Sequence, residues 1–442
     1  MLCGDLGAAG VYMNKIYPTY EYDDHFTAMR EDLLGKVSQR FGKPWEEISQ
    51  TVDKFPASWP TQCQVRREVY PWNDYQPDRF AKLDDINRMM EDVAPKLEVR
   101  AVELPALTGE GETGISRQLG VFALEDIEPG EVVLDETSLL TVNNRLQDTL
   151  CDACSSDLPA LNSEGADAVV ACPECEVIFC SETCYEAAYD NYHQALCERD
   201  VDAIGKDPDP EDAADSLYAL LLQRCFALAE GRDCHPLDLK EIKYIWGDFD
   251  AQDLSMGFKM PDPAKPESAF GGMPRTLPFR FEFNIRLPFH ILEKMDIDIF
   301  ATTRYDVWVF NTLYAKFRGT ASARLSGTGN TTAKGPEVCA VHPMWCMANH
   351  SCDPNVSWEW GGSIKLSARK ERATWKGNDG RTQLRSAGLR AGEEVLNHYC
   401  DIDLPVKERR EWAKGALGGD CRCERCMFEA TDWVGKAAEN TA

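Results

Sequence analysis

The sequence predicts an α+β fold built from short strands, amphipathic helices and clustered metal-ligating cysteines. The runs Val99–Leu104 and 120–134 alternate short apolar stretches with turn residues, which is typical of a β-meander. Apolar residues in Ala213–Glu230 recur every three or four positions, which predicts a helix with a buried face. Closely spaced cysteines in 151–197 and 421–426 have the spacing of structural zinc sites.

The overall charge is strongly acidic and restricts the classes of partner. The 442 residues carry a formal charge of −27. Proteins that capture a nucleic-acid backbone generally present a basic face, so direct nucleic-acid binding is not predicted. An acidic surface instead attracts basic protein or peptide segments. The length is sufficient for about two to four domains with their own cores, so we expect a monomer.

The sequence predicts neither a targeting segment nor a membrane segment. The N-terminus lacks a basic region followed by an apolar one, and no stretch approaches the ~18 apolar residues of a membrane span. We therefore expect a protein of the nucleus, the cytoplasm or both. Its eighteen cysteines would meet a reducing environment there, where clustered cysteines serve as metal ligands more often than as disulfides.

Eight metal-ligating residues lie in the middle of the chain as four short pairs, enough for two tetrahedral zinc sites. The pairs are Cys151 and Cys154, Cys172 and Cys175, Cys180 and Cys184, and His193 and Cys197. Their order resembles a MYND zinc finger, although other cross-braced fingers share the spacing. The MYND resemblance implies that alternate pairs share a metal. One zinc would bind Cys151, Cys154, Cys180 and Cys184, and the other Cys172, Cys175, His193 and Cys197.

Two separated segments, Asn349–Asn355 and Gly392–Tyr399, resemble the signature segments of SET-domain methyltransferases. The resemblance implies a fold that threads the second segment beneath the first as a pseudoknot. It also implies that Asn349 and His350 bind S-adenosylmethionine, and that the Tyr399 hydroxyl lies where the methyl group crosses to a lysine amine. The cofactor contacts that the family implies fall on Arg117, Gly120, Asn311, Asn349, His350 and Tyr399.

A third cysteine cluster near the C-terminus offers three thiolates, Cys421, Cys423 and Cys426, one fewer than a structural zinc site requires. It resembles a post-SET cluster, which implies that Cys352 supplies the fourth ligand and that the chain binds three zinc ions. An exposed or redox-active triplet is the alternative interpretation. We interpret the other cysteines as small buried apolar residues: Cys3, Cys63, Cys225, Cys234, Cys339, Cys346 and Cys400.

The order of these segments resembles the SMYD family of protein-lysine methyltransferases, in which a zinc finger and a helical insert split the SET fold. The predicted organisation is a helical extension at 1–96, a first SET half at 97–150, a MYND finger at 151–197, a helical insert with a Pro/Gly-rich loop at 198–300, a second SET half at 301–404, a post-SET cluster at 405–430 and a tail at 431–442. Helical patterns are also present in Ile291–Ala315 and in the stripe Met29, Leu33, Val37 and Phe41.

Three features depart from the family pattern or stand outside it. Gln118 occupies a position where the cofactor loop of the family has glycine, and Gly419 replaces an aromatic residue that would stack on adenine. The segment Arg369–Arg390 concentrates basic residues around a Gly-Asn-Asp-Gly turn, which predicts a solvated surface loop, with contact to an acidic partner or nucleic acid as the alternative.

The favoured functional hypothesis, implied by the SMYD resemblance, is a protein-lysine methyltransferase that uses S-adenosylmethionine and acts on histones or other basic proteins. The alternative is a weakly active or inactive interaction protein whose MYND finger binds proline-containing peptides of transcriptional regulators. Asn349, His350 and Tyr399 favour the enzyme, whereas Gln118 and Gly419 favour the alternative. The zinc ions are structural in both cases, because methyl transfer from a sulfonium needs no metal at the reacting centre.

Overall fold

Two compact units make up the computed structural model of the protein, Met1–Asp74 and Tyr75–Ala442. The structure describes residues 13, 15–47, 75, 77–105, 115–145, 149–200, 205–209, 212–246, 281–325, 336–376, 382–383, 386–417 and 419–430. Each helix within those ranges is too short or too polar to span a bilayer.

The first unit contains helix α1, Asp24–Phe41. Leu33 is fully buried, and Met29 packs against the same small apolar cluster. Burial of one face is what stabilises a helix of this kind in water. The predicted apolar stripe is therefore confirmed at these two positions, while two of its side chains lie outside the described part of the chain, those of Val37 and Phe41.

The second unit begins with a helix and a long hairpin. Helix α2 spans Leu83–Val93, and strands β1, Leu97–Pro105, and β2, Ile115–Ala123, pair antiparallel. Ile86 and Met90 of α2 are fully buried in the apolar cluster that also contains the inward residues of the hairpin. The hairpin confirms the predicted β-structure, and α2 supports it from one side.

The other strands are short, as expected for a meander with frequent turn residues. They are β3 Val132–Glu136, β4 Thr141–Asn143, β5 Val170–Ala171, β6 Ile178–Phe179, β7 Ser322–Arg324, β8 Val338–Ala340, β9 Asn349–His350, β10 Val356–Gly361, β11 Ser363–Ala368, β12 Trp375–Lys376, β13 Thr382–Gln383 and β14 Leu396–Asn397. Two antiparallel sheets have the strand orders β10-β11-β3 and β4-β8-β7, and β5 pairs with β6 and β12 with β13 as two-stranded ribbons.

A parallel contact brings the two signature segments together. β14 pairs with β9 so that Leu396 lies beside Asn349 and Asn397 beside His350. The residues that precede β14 also bridge to the first hairpin region, through Phe122 and Glu394. The C-terminal signature segment therefore contacts both β2 and β9, so the two signature segments meet, as the family resemblance implied.

The described part of the second unit contains five further helices. They are α3 Glu182–Asn191, α4 Ala213–Gly231, α5 Leu287–Lys294, α6 Val307–Thr320 and α7 Val406–Leu417. The helix predicted over Ala213–Glu230 is confirmed as α4, which is buried on nearly every side and lies in the largest apolar core. A helix that is apolar all round is typical of such a central position.

One helix prediction needs correction. The continuous pattern over Ile291–Ala315 is broken, because α5 ends at Lys294 and α6 begins at Val307. Asp296 adopts the left-handed conformation, with φ of 55°, which ends a right-handed helix. Asp306 starts the next one, since its carboxylate accepts a 2.6 Å hydrogen bond from the main-chain N–H of Val307. The Pro/Gly-rich loop predicted at 259–278 lies outside the described residues.

His342 is a buried titratable group between the two three-stranded sheets. Only 1% of the residue is exposed. Its Nδ1 lies 3.5 Å from the Ser322 hydroxyl, and its ring meets Trp360 edge-on at a centroid distance of 5.4 Å. Burial lowers the pKa of His342 from 6.5 to about 3, because the charged ring would lose its hydration. The ring is therefore neutral in the folded protein near neutral pH.

We predict that His342 makes the fold sensitive to mild acid. Unfolding exposes the ring, which then takes up a proton below pH 6.5 that the folded state excludes. The contribution of the neutral His342 ring to the free energy of unfolding is thus present above pH 6.5. It is lost as the pH falls toward 3, at about 1.4 kcal/mol per pH unit. Between pH 6.5 and 5 the free energy of unfolding should fall by about 2 kcal/mol more than in His342→Asn, measured by urea denaturation.

The comparison with His342→Asn isolates this group, because all other titratable residues, including the cysteine clusters, are shared by both proteins. The asparagine keeps a polar atom near Ser322 but does not titrate. An identical pH dependence of the two unfolding free energies would contradict the prediction.

Candidate functional site

Asn349 lies at the centre of the contacts between the signature segments and β2. Its Nδ2 donates hydrogen bonds to the main-chain oxygen of Leu119 (2.9 Å) and to Oε1 of Glu394 (2.8 Å). Both amide hydrogens are therefore used, and within the described residues no hydrogen-bond partner reaches Oδ1. Gly120 makes this packing possible, because a Cβ there would lie 2.6 Å from Glu394 Oε1 and 3.1 Å from Asn349 Nδ2.

His350 has both ring nitrogens committed to protein atoms. Nδ1 accepts a 2.9 Å hydrogen bond from the main-chain N–H of Tyr399, and Nε2 lies 3.3 Å from the Cys352 sulfur. Burial lowers the pKa of His350 to about 4, so the ring is neutral. Since a main-chain N–H can only donate, the ring proton belongs on Nε2 and points at the sulfur. The imidazole thus connects a cysteine ligand group to the backbone of Tyr399.

Tyr399 is fixed at both ends by the segment that contains Asn349. Besides the main-chain bond to His350, its hydroxyl donates a 2.8 Å hydrogen bond to the main-chain oxygen of Ala348. The two rings of Tyr399 and His350 are 5.1 Å apart. Burial raises the pKa of the Tyr399 hydroxyl well above its usual range, so it stays protonated. Its oxygen can accept contacts from a reacting group, whereas it cannot serve as a base at neutral pH.

The side chain of Asn355 holds the second signature segment in place by hydrogen bonds to its backbone. The residue is completely buried. Its Nδ2 donates to the main-chain oxygen of Glu394 (2.8 Å), and its Oδ1 accepts from the main-chain N–H of Leu396 (2.7 Å). The sequence reasoning missed this role, although Asn355 closes the first signature segment directly after a proline, where an asparagine often bonds to nearby backbone.

Glu136 holds the turn that leads into Asn349. It is 3% exposed, and its carboxylate accepts hydrogen bonds from the main-chain N–H groups of Met344 (3.1 Å) and Trp345 (2.8 Å). Burial raises the pKa of Glu136 to about 7, against the opposing effect of these two hydrogen bonds. Glu136 could not be distinguished by sequence from the neighbouring Asp135, which is exposed in the same strand.

The basic segment Arg369–Arg390 is partly buried against the first signature segment rather than fully solvated. Arg372, whose side chain is 4% exposed, lies 3.5 Å from the carboxylate of Asp353 and donates to its main-chain oxygen at 3.0 Å. Trp375 donates to the same carboxylate through Nε1 at 3.3 Å. The prediction of a solvated loop is therefore wrong for these two residues, because a buried carboxylate in the first signature segment requires partners.

The predicted metal ligands form three groups in which the ligand atoms lie within 4.8 Å of one another. The groups are Cys151, Cys154, Cys180 and Cys184; Cys172, Cys175, His193 and Cys197; and Cys352, Cys421, Cys423 and Cys426. These are the three sets that the family resemblance implied. Each group draws on residues that are distant in sequence, so the fold itself brings the ligands together.

The spacing of the sulfur atoms fits tetrahedral zinc. Four sulfurs at about 2.3 Å from zinc are about 3.8 Å from one another. The sulfur–sulfur distances are 3.8 Å for Cys154 and Cys180, 3.5 Å for Cys180 and Cys184, and 3.8 Å for Cys172 and Cys197. From Cys352 they are 4.0 Å to Cys421 and 3.2 Å to Cys426. The donor chemistry at all three groups and most of these distances suit structural zinc.

Two predicted cofactor contacts, Arg117 and Asn311, have other partners in the structure, and so does Gln118. The Arg117 guanidinium stacks over the ring of Phe80 at 4.3 Å. Asn311 accepts a 2.9 Å hydrogen bond from Asn284 and does not bond to Asn349. Gln118, the residue in place of a family glycine, donates to Ser116 at 2.7 Å. The roles of Arg117 and Asn311 toward a cofactor thus stay predictions.

The cysteines outside the three groups follow the sequence interpretation in part. Cys225, Cys339 and Cys400 are buried, as expected of small apolar residues, whereas Cys234 and Cys346 are partly exposed. Two lie outside the described residues, Cys3 and Cys63.

Comparison with known proteins decides the family. The family described as "SET domain" matches residues 118–400, which is more than half of the chain. The chain belongs to the SET-domain family. Its match contains Asn349, His350 and Tyr399, and it encloses the first two ligand groups. The resemblance to SMYD lysine methyltransferases expected from the sequence is confirmed by relatives of that name.

The relatives are distant and cover the chain unequally. "Histone-lysine N-methyltransferase SMYD3" of Mus musculus is 22% identical over 334 residues, which are 74% of this chain and 64% of the mouse protein. "N-lysine methyltransferase SMYD2-B" of Xenopus laevis is 28% identical over 94 residues, 21% of this chain and 18% of that protein. The SET-domain chain therefore spans less than two thirds of the length of either relative.

A similar solved structure is titled "Crystal structure of the SET domain of LSMT bound to Lysine and AdoHcy". It has 13% sequence identity and a TM-score of 0.32, over 78% of this chain and 58% of that chain. A score this low supports no structural conclusion for the SET-domain chain.

We predict that Asn355 is required for the site as well as for stability. Asn355→Ala would leave two buried main-chain groups unpaired, at about 1–3 kcal/mol each. The free energy of unfolding should fall by about 2–6 kcal/mol. The affinity for S-adenosylmethionine, measured by calorimetric titration at a temperature where the variant is folded, should also fall.

Asn87 provides a matched control. Its amide makes the same double contact with a neighbouring strand, accepting from the main-chain N–H of Val99 (2.6 Å) and donating to its carbonyl (3.0 Å). Asn87→Ala should therefore cost comparable stability and leave cofactor affinity unchanged. Equal losses of affinity in the two variants would show that Asn355 acts only through global stability.

Proposed function

We propose that this SET-domain chain is a protein-lysine N-methyltransferase that uses S-adenosylmethionine. The observation that carries the proposal is the pairing of β14 with β9, which places Tyr399 against Ala348 and His350. Methyl transfer requires a cofactor-binding loop and a positioning hydroxyl in one place, and the pairing joins the two segments to which we assign these roles.

The residues around Asn349 suit the polar end of the cofactor. Asn349 Oδ1 is an acceptor, and the ammonium group of S-adenosylmethionine is a donor. His350 has no free side-chain atom, so its contribution to cofactor binding would come from its main chain. Arg117, Gly120 and Asn311 are the further contacts that the family resemblance implies. When bound, the cofactor supplies an electrophilic methyl group on a sulfonium.

The acceptor lysine must lose its proton before it can attack. With a lysine pKa near 10.4, deprotonation at pH 7 costs about 4–5 kcal/mol, which a dry channel lowers by disfavouring the ammonium. Tyr399 stays protonated and directs its proton to Ala348, so its oxygen can hold the amine and the methyl hydrogens in line. Its role in this proposal is positioning rather than proton abstraction.

The remaining assignments follow the SMYD layout. We assign 151–197 to a MYND finger with two zinc ions, and Cys352 with Cys421, Cys423 and Cys426 to a post-SET zinc site. The threading of Gly392–Tyr399 beneath the first segment would be the SET pseudoknot. The zinc ions act as structural supports, since every site offers four protein ligands and leaves no open position.

The acidic character of the chain supports a basic substrate. With a formal charge of −27, it should attract lysine- and arginine-rich segments, and histones are one such class. We propose proline-containing peptides as ligands of the MYND finger, and the nucleus, the cytoplasm or both as the location. Calorimetric titration with S-adenosylmethionine is the primary test. A folded, zinc-loaded protein that binds none would favour the interaction-protein alternative.

We predict that Tyr399→Phe slows methyl transfer without removing cofactor binding. Loss of a positioning hydroxyl should cost roughly 2–4 kcal/mol of barrier, or about thirty- to a thousand-fold in rate. Single-turnover methylation of a basic-protein panel at saturating cofactor measures the effect. Tyr314→Phe is the control, because it removes a buried hydroxyl that has no hydrogen-bond partner in the part of the chain that the structure describes. Equal rates for Tyr399→Phe and Tyr314→Phe would exclude the positioning role.

We also predict three bound zinc ions per chain. Metal analysis of the reduced, purified protein should give three, and Cys352→Ser should give two, because serine is a poor zinc ligand and the post-SET group then lacks its fourth thiolate. Cys339→Ser, in a buried cysteine outside the three groups, should leave the zinc content at three. Two ions in the unmodified protein would overturn the post-SET assignment.

A further inference from the structure

A fifth thiol lies against the post-SET cysteine group. Cys400 is 3% exposed and packs in one cluster with Cys352, Cys421 and Cys426. Its sulfur, the Cys352 sulfur and a ring nitrogen of His350 all lie within 4.8 Å of one another. Four thiolates complete a tetrahedral zinc site, so the Cys400 thiol exceeds what that metal requires.

His350, Cys352 and Cys400 would also suit a second metal ion, but the hydrogen bonds of His350 argue against it. Nδ1 accepts the N–H of Tyr399, so the ring proton is on Nε2, the atom 3.3 Å from the Cys352 sulfur. A metal at Nε2 would require removal of that proton and an anionic ring. The ring therefore donates to sulfur, and Cys400 is a thiol beside a metal ligand.

We propose that Cys352 and Cys400 form an oxidation-sensitive pair that releases the post-SET zinc. The inference rests on the proposed zinc site at Cys352, Cys421, Cys423 and Cys426. Hydrogen peroxide removes two electrons from the two sulfurs. The Cys352 thiolate and the Cys400 thiol join as a disulfide, the O–O bond of peroxide breaks, and one water and one hydroxide form. Cys421, Cys423 and Cys426 would then be the remaining protein ligands, too few to hold a structural zinc ion.

The backbone favours this pair over a disulfide with the tail. Cys352 follows β9 and Cys400 follows β14, and the parallel pairing of these strands already holds the two segments side by side. Closing the sulfurs from within 4.8 Å to a bond of about 2.0 Å therefore needs only a local movement. The three tail cysteines are each bound to zinc in the loaded protein, whereas Cys400 has no metal bond to break.

Oxidation would exchange one covalent connection for another. In the zinc-bound state, Cys352 connects the β9 segment to the tail at Cys421. In the oxidised state, Cys352 is bonded within the SET core, and the tail keeps only weaker contacts such as the 2.8 Å hydrogen bond from Arg425 to the Cys352 carbonyl. We expect looser packing of the tail and weaker binding of S-adenosylmethionine, both reversed by reductant and zinc.

The test treats the full zinc-loaded chain with hydrogen peroxide. Released zinc is followed with a chromogenic chelator, and differential alkylation with peptide mapping identifies the disulfide. We expect loss of one zinc per chain together with a Cys352–Cys400 disulfide. Cys400→Val keeps an apolar side chain of similar size and should retain that zinc under the same treatment. Cys339→Val, in a buried cysteine of β8, is the matched control and should lose zinc as the unmodified protein does.

The possible outcomes distinguish a failure of the Cys352–Cys400 inference from a failure of the proposed post-SET zinc site. Absence of the third zinc from the reduced protein would overturn the post-SET site itself. A loaded third site whose oxidation gives disulfides only among Cys352 and the tail cysteines would overturn the role of Cys400. Equal zinc release from Cys400→Val and the unmodified protein would do the same. Peptide mapping of the unmodified protein decides the question even if a variant fails to fold.

Discussion

The contact on which the rest of the site depends is the parallel pairing of two short strands, Asn349–His350 and Leu396–Asn397. A pairing of two residues in each strand is not stable by itself, because it buries little surface and ordering the two chain segments costs conformational entropy. Side-chain contacts supply the remaining stabilisation of this pairing. Asn355 binds the returning backbone, Glu394 binds Asn349, and the Cys352 group ties the arrangement to the tail.

Hydrogen-bond commitments within the protein limit what each site residue can do. Asn349 uses both amide hydrogens and offers an acceptor; His350 uses both ring nitrogens and offers no side-chain atom. Tyr399 directs its proton to a carbonyl and offers an oxygen lone pair. The proposed chemistry follows from these remaining atoms, and a static hydroxyl held in this way positions a reacting group better than it moves a proton.

The ligand groups and the meeting of the two signature segments could be predicted because the residue types and their spacing resemble known families, and that resemblance implies which segments come together. The roles of Asn355, Glu136 and Arg372 could not be predicted in the same way. Each satisfies backbone or carboxylate groups from distant segments, and those partners become adjacent only after folding. The interruption at 295–306 could not be predicted, because the apolar periodicity of the sequence continues across it although the helix itself is broken there.

The distance in sequence between the parts of the site has a consequence for biosynthesis. Leu119, Asn349, Glu394 and Cys421 all contribute, so a ribosome has made most of the chain before the last of them emerges. Until then, the loop at Asn349 has neither its strand partner nor the tail cysteines of its ligand group. The strand edges and thiols of this region therefore stay unpaired until the last part of the chain has been made, and unpaired strand edges are prone to aggregation.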